Sequence, residues 1–248
     1  MNNGKTTMRS GEQFIYLKQK YPDLKIAIND LNPELYLFWH LAQSDLSKLV
    51  AEVRHVKENY QAELASLKAE LEQTKVLAIG EIGLDYYWDT TFAAEQMDAF
   101  QQQCHWALDK GLWVDIHCRK AYADLIKTFK LPEFKELRGI IHCFSGDAKE
   151  AKVLTDLGFL LGIGGVITYK NSGLTEVLNS VELKHLVVET DAPYLSPAPF
   201  RGKRNESSYL SYIIEKISGI YKLSDAIIAE VTSQNAIELF QLEKFKSN

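Results

Sequence analysis

The chain has 248 residues, 46% apolar and 25% charged, with a formal net charge of −5. That balance is ordinary for a globular protein and excludes a global basic field that recruits nucleic acid, so a phosphate-bearing partner must be held by local cations or by metal. The polar opening MNNGKTTMRSGEQ has no apolar signal core, no stretch approaches membrane-spanning length, and Cys104, Cys118 and Cys143 lack CxxC spacing, which together predict a reduced, cytoplasmic protein without a membrane partner.

Residues 11–21 read as a short helix stopped by Pro22, 24–28 (LKIAI) as a strand, and 29–33 as a turn. An extended helical segment is expected at about 34–75. Within it Leu49, Val53, Val56, Tyr60, Leu64, Leu67 and Leu71 recur every three or four residues on an otherwise charged background. It reads as a surface helix covering the core, with self-association through 46–71 as the alternative.

The run VLAIGEIGLDYYW (76–88) reads as a buried-type strand. Period two puts Glu81, Gly83 and Asp85 on one side, and Ile82 and Leu84 on the other. A helix over 92–110 capped by Gly111, a strand at 112–118, a helix from 120 to about 129 and a strand at 139–144 follow. Then come a helix at 147–157, a glycine-rich strand at 159–167 where close backbone approach is expected, a short helix at 174–180 and a strand at 186–190. Helices at about 206–221 and 224–240 finish the chain.

From 76 onward the strands are apolar on both faces and alternate with helices, the pattern of a parallel sheet covered by helices. Glu81, His117, His142 and Asp191 each fall at a strand's carboxyl end, where a (β/α)8 barrel builds its site. Two imidazoles and two carboxylates suit one or two divalent cations (Mg²⁺, Mn²⁺ or Zn²⁺). Such a site lowers the pKa of water from ~16 towards ~7, and Asp191 is placed to accept its proton. Asp115 lies two residues before His117, and Glu189 two before Asp191; each is expected either to orient its neighbour or to be a structural polar residue. Cys118 and Cys143 follow the histidines and by alternation should point into the helix–sheet core. His40, His55 and His105 lie in helical stretches as surface or packing residues. Arg201, Lys203 and Arg204, close after Asp191, together with Arg119 and Lys120 beside His117, are candidate phosphate contacts.

In order, GEIGLDYY, IHCRKA, IHCFSG, ETDAPYLSP and PFRGKRNE resemble the TatD-type metal-dependent hydrolases over about 24–240. The resemblance implies a TIM-type (β/α)8 barrel of the amidohydrolase-like kind, forming one domain over 1–248. It implies a divalent metal centre and hydrolysis of phosphodiester bonds in DNA or nucleotides. It would have Glu81 and Asp191 contact a first metal and His117 and His142 a second, with Glu81 and Asp191 catalytic. One motif departs: the family opens with a strand ending in His-x-His, and this sequence contains no HxH. The reading therefore expects about six strands and a barrel incomplete at its N-terminus, through a misplaced coding start or true divergence. Two competing readings are a catalytically impaired relative that binds metal or a partner, and a deaminase- or amidase-like hydrolase, which the basic loop disfavours.

Overall fold

A computed structural model describes residues 60–62, 64–72, 76–87 and 90–242 of the chain. Five strands form one parallel sheet in sequence order: β1 (Ala78–Asp85), β2 (Trp113–Arg119), β3 (Gly139–Ile141), β4 (Leu160–Ile163) and β5 (Leu186–Val188). Helices alternate with them: α1 (Ala93–Lys110), α2 (Tyr122–Phe129), α3 (Ala148–Asp156) and α4 (Leu174–Leu178), then α5 (Leu210–Tyr221) and α6 (Asp225–Leu239). Each connection from strand through helix to the next parallel strand is a βα unit, so every strand presents its carboxyl end at the same rim.

Local chemistry explains the boundaries. Gly111 takes φ +62° to end α1, as its lack of a Cβ allows. Asp147 and Glu150 form a reciprocal capping box that starts α3, and Ser224 caps α6. Three strands stop earlier than the sequence suggests. β3 ends at Ile141 rather than at 144, and β5 at Val188 rather than at 190. β4 ends at Ile163 and gives way to a 3-10 turn, Gly165–Thr168. A Cβ on Gly165 would stand 2.1 Å from the Leu195 carbonyl oxygen, so the expected close backbone approach is real and it lies after the strand. Of the six expected strands, that at 24–28 lies outside the described residues, as do His40, His55 and the part of the expected helical segment up to 59. Among the described residues no strand pairs with the outer edges of β1 or β5.

The helical residues 60–62 and 64–72 lie along α1. Tyr60 and Gln61 donate to Asp98 at 3.1 and 2.8 Å, and Lys110 pairs with Glu72 at 3.0 Å. Leu64 is buried. This part of the segment packs on α1.

The two faces of the sheet carry different layers. On one, Ile82, Leu84, Val114, Ile116, Cys118, Ile141 and Leu161 pack against the helices, joined by the stack of Phe129 on Phe159 at 4.3 Å. On the other, the strands start apolar: Trp113, Ile140, Leu160 and Val187 meet Ala236, Leu239 and Phe240 of the last helix and its end. Asn235 holds that helix in place by donating to the carbonyls of Leu183 and Leu186 at 3.0 and 2.7 Å. Farther along the same face the residues become charged. The apolar layer closes one end, so the polar residues gather at the strands' carboxyl ends.

Candidate active site

Strand alternation delivers the first half of the site as expected. Along β1, Ile82 and Leu84 are buried under the helices while Glu81 and Asp85 face the other way. On β2, Asp115 and His117 share that face. Register pairs Gly83 with His117, and a Cβ on Gly83 would stand 1.9 Å from the His117 carbonyl oxygen, so the glycine permits this approach. His117 lies between two carboxylates: Nδ1 is 3.0 Å from Glu81 and Nε2 3.0 Å from Asp85. Period two places Asp85 on the side of Glu81 without assigning it a role, and the structure makes it the second partner of His117.

The second half comes from the chain after β3 and β5. His142 places Nδ1 2.7 Å from Glu189 and Nε2 3.6 Å from Asp191. Glu189 also accepts from the backbone N–H of Cys143. Glu189 thus holds His142, not Asp191 as its spacing suggested. It has room because a Cβ on Gly162 would come within 2.5 Å of its Oε1. Asp115 likewise does not hold His117, whose two nitrogens face Glu81 and Asp85; it lies among Glu81, His142, Glu189 and Asp191.

Cys118 lies in the helix-side core, as alternation requires. Cys143 does not. β3 ends at Ile141, and the φ of +42° at Cys143 turns the chain, so alternation no longer fixes its direction. Its sulfur lies beside His142 and Glu189. His105 is a packing residue on α1, its ring 4.8 Å from that of Phe134.

Five carboxylates and two imidazoles in one place perturb each other. Burial alone would lower the His117 imidazole, but its hydrogen bonds to Asp85 and Glu81 outweigh this and raise it to about 9. His142 shows the same contest: burial lowers it, and the charge of Glu189 with the neighbouring groups carries it well above its ordinary value. Burial pushes the Glu81 carboxyl up, yet the His117 bond and the charges of both imidazoles hold it below the usual range. Asp115 rises to about 7 and Asp191 also rises, chiefly through burial. The carboxylates outnumber the imidazoles even with both rings protonated. A divalent cation is the species that this donor set fits, because it replaces the ring protons and offsets the remaining negative charge.

The cationic candidates lie in the segments leaving the strand ends. Arg119 stacks on Tyr87 at 3.7 Å, and its charge bears on Asp85. Arg201 stacks on Tyr169 at 4.4 Å, and Tyr169 donates to the Ser196 carbonyl at 2.8 Å. Lys203 and Arg204 are exposed. The loop that carries them is tied to the Asp191 segment by Asn205, which sequence reasoning passed over. This buried side chain donates to the carbonyls of Thr190 and Tyr194 at 2.6 and 2.5 Å. Phe200 is fixed from the other side by a stack on Tyr209 at 4.1 Å.

A parallel sheet covered by helices, with imidazoles and carboxylates converging at its carboxyl rim, is the arrangement by which α/β barrel enzymes build their sites. The family described as TatD related DNase matches residues 36–241, and the chain belongs to that family of metal-dependent hydrolases. It is similar to the protein of Bacillus subtilis (strain 168) named uncharacterized metal-dependent hydrolase YabD, with 39% identity over 73% of this chain and 71% of that one. It is 32% identical, over 96% of its own length and 86% of the relative's, to the 3'-5' ssDNA/RNA exonuclease TatD of Edwardsiella piscicida. Among solved structures, the TatD homologue YJJV of Escherichia coli K12 superposes with a TM-score of 0.68 at 28% identity, covering 73% of this chain and 71% of that one. The TIM-barrel fold implied by the five motifs is thus the fold of its structural neighbours.

Proposed function

We propose that the protein hydrolyses phosphodiester bonds of DNA, RNA or nucleotides at this site, with one or two divalent cations held by Glu81, His117, His142 and Asp191. The observation that carries the reading is the pairing of Glu81 with His117 at 3.0 Å and of His142 with Asp191 at 3.6 Å at the carboxyl rim of the sheet. The exonuclease name of the Edwardsiella relative supports the choice of nucleic acid. A bound cation supplies Lewis acidity and lowers the pKa of water. The chain's own groups do the rest. Glu189 keeps Nδ1 of His142 engaged and so directs Nε2 towards the site. Asp191, its carboxyl raised by burial, accepts the proton of the attacking water. The Arg119 and Arg201 guanidiniums, flattened against Tyr87 and Tyr169, present their edges to phosphate oxygens, and Lys203 and Arg204 add charge.

The test is turnover of end-labelled single-stranded DNA and RNA with Mg²⁺, Mn²⁺ or Zn²⁺, beside Asp191→Asn and Arg201→Ala. Loss of turnover in the first and a raised KM in the second are expected. Turnover no greater than that of Asp191→Asn, in protein with stoichiometric metal, would sink the reading in favour of a relative that only binds metal or a partner.

A further inference from the structure

Cys143 is the site's unused donor. The turn at its positive φ brings it alongside His142, and one ligand atom each of His142, Cys143 and Glu189 lie within 4.8 Å of one another. The absence of a side chain at Gly164 leaves the sulfur its space, since a Cβ there would stand 3.4 Å from Sγ. The thiol is in no disulfide, and Cys104 and Cys118 lie in the apolar core. We propose that His142, Cys143 and Glu189 form a binding site for a soft or borderline divalent cation, such as Zn²⁺ or Cd²⁺, with the Cys143 sulfur as the selecting ligand.

The chemistry follows from donor softness. Carboxylate and imidazole alone accept Mg²⁺, Mn²⁺ and Zn²⁺, whereas a thiolate strongly favours Zn²⁺ and its heavier analogues. Nitrogen, oxygen and sulfur ligands at ~2.0–2.3 Å from a tetrahedral ion stand roughly 3.5 Å apart, a spacing these three reach by small side-chain rotations. Ligation by sulfur expels the thiol proton to solvent, so the neutral thiol becomes an anionic ligand. Solvent completes the fourth position, because Asp191 faces Nε2 at 3.6 Å, on the opposite edge of the ring from the Nδ1 that meets Glu189. Occupancy draws Glu189 off Nδ1 of His142, so a soft ion competes with the arrangement in which Glu189 holds the ring. The site borrows His142 from the hydrolase reading but needs no turnover.

Metal-free protein would be titrated with Cd²⁺ while recording the near-ultraviolet sulfur-to-metal charge-transfer band. Cys143→Ser and Cys143→Ala would be run in parallel, with circular dichroism to verify folding. The expected result is a band saturating at one ion per chain in the wild type and absent from both variants. Cd²⁺ affinity should fall by about tenfold or more, the least that loss of a metal-site group costs, with Mn²⁺ affinity unchanged. No band in the wild type, a band of equal strength in both variants, or equal losses of Cd²⁺ and Mn²⁺ affinity would overturn the proposal. The wild-type spectrum alone decides if the variants do not fold. A missing band leaves the hydrolase reading intact, and missing turnover leaves the band intact.

Discussion

Replacing Glu189 tests whether His142 is held for metal. Its Oε2 lies 2.7 Å from Nδ1 of a histidine side chain that is 4% exposed, and it is itself only 12% exposed. A short, charge-assisted bond sheltered from water is roughly twice as strong as a neutral one. Glu189→Gln keeps the shape and an acceptor but loses the charge; Glu189→Ala loses both and frees the ring to rotate. Removing the partner of a ligating histidine typically lowers metal affinity ~10–100-fold, or about 1.4–2.7 kcal/mol. Glu189→Gln should fall at the low end of that range and Glu189→Ala at the high end. The assay is competition of metal-free protein with a chromogenic chelator for Mn²⁺, a hard ion that avoids the sulfur of Cys143, with circular dichroism confirming the fold. Glu182→Gln, in an exposed pair with Lys184, is the control and should change nothing. Two folded Glu189 variants with wild-type Mn²⁺ affinity would refute the reasoning and leave Glu189 as scaffold.

The imidazoles predict a pH dependence that metal should abolish. In the metal-free protein the His117 pKa is raised to about 9. A raised folded-state pKa contributes stability that is complete below the unfolded value, about 6.5, and is lost as pH climbs through about 9. Urea denaturation should find the metal-free protein weaker at high pH than near pH 6, whereas the loaded protein should show no such loss. Loading near neutral pH should release protons, seen as a calorimetric heat that varies with buffer ionisation; buffer-independent heats would refute the protonated state. Asn205→Ala should cost about 1–3 kcal/mol by urea denaturation, because two carbonyls lose their donor. It should also raise KM for a phosphodiester more than it lowers kcat, since it frees the loop bearing Arg201, Lys203 and Arg204. Equal stability would show that water replaces the amide at no cost.

The sequence by itself determined which residues are chemically available and which face of each regular strand they occupy. Glu81 against Ile82 and Leu84, and His117 against Ile116 and Cys118, follow from period two, because a strand leaves its side chains no other choice. Asp147, Gly111 and Ser224 marked helix ends because caps are satisfied by local hydrogen bonds or by φ alone. The tertiary structure decided what happens where strands stop. Beyond Ile141 and Val188, direction is set by packing against other segments, so Cys143 turned to the site and Glu189 met His142, 47 residues away, rather than its near neighbour. Asn205 carried no motif, and its role exists only because the chain returns to Thr190 and Tyr194. Periodicity is a property of regular backbone, and half of this site's donors sit where that regularity ends.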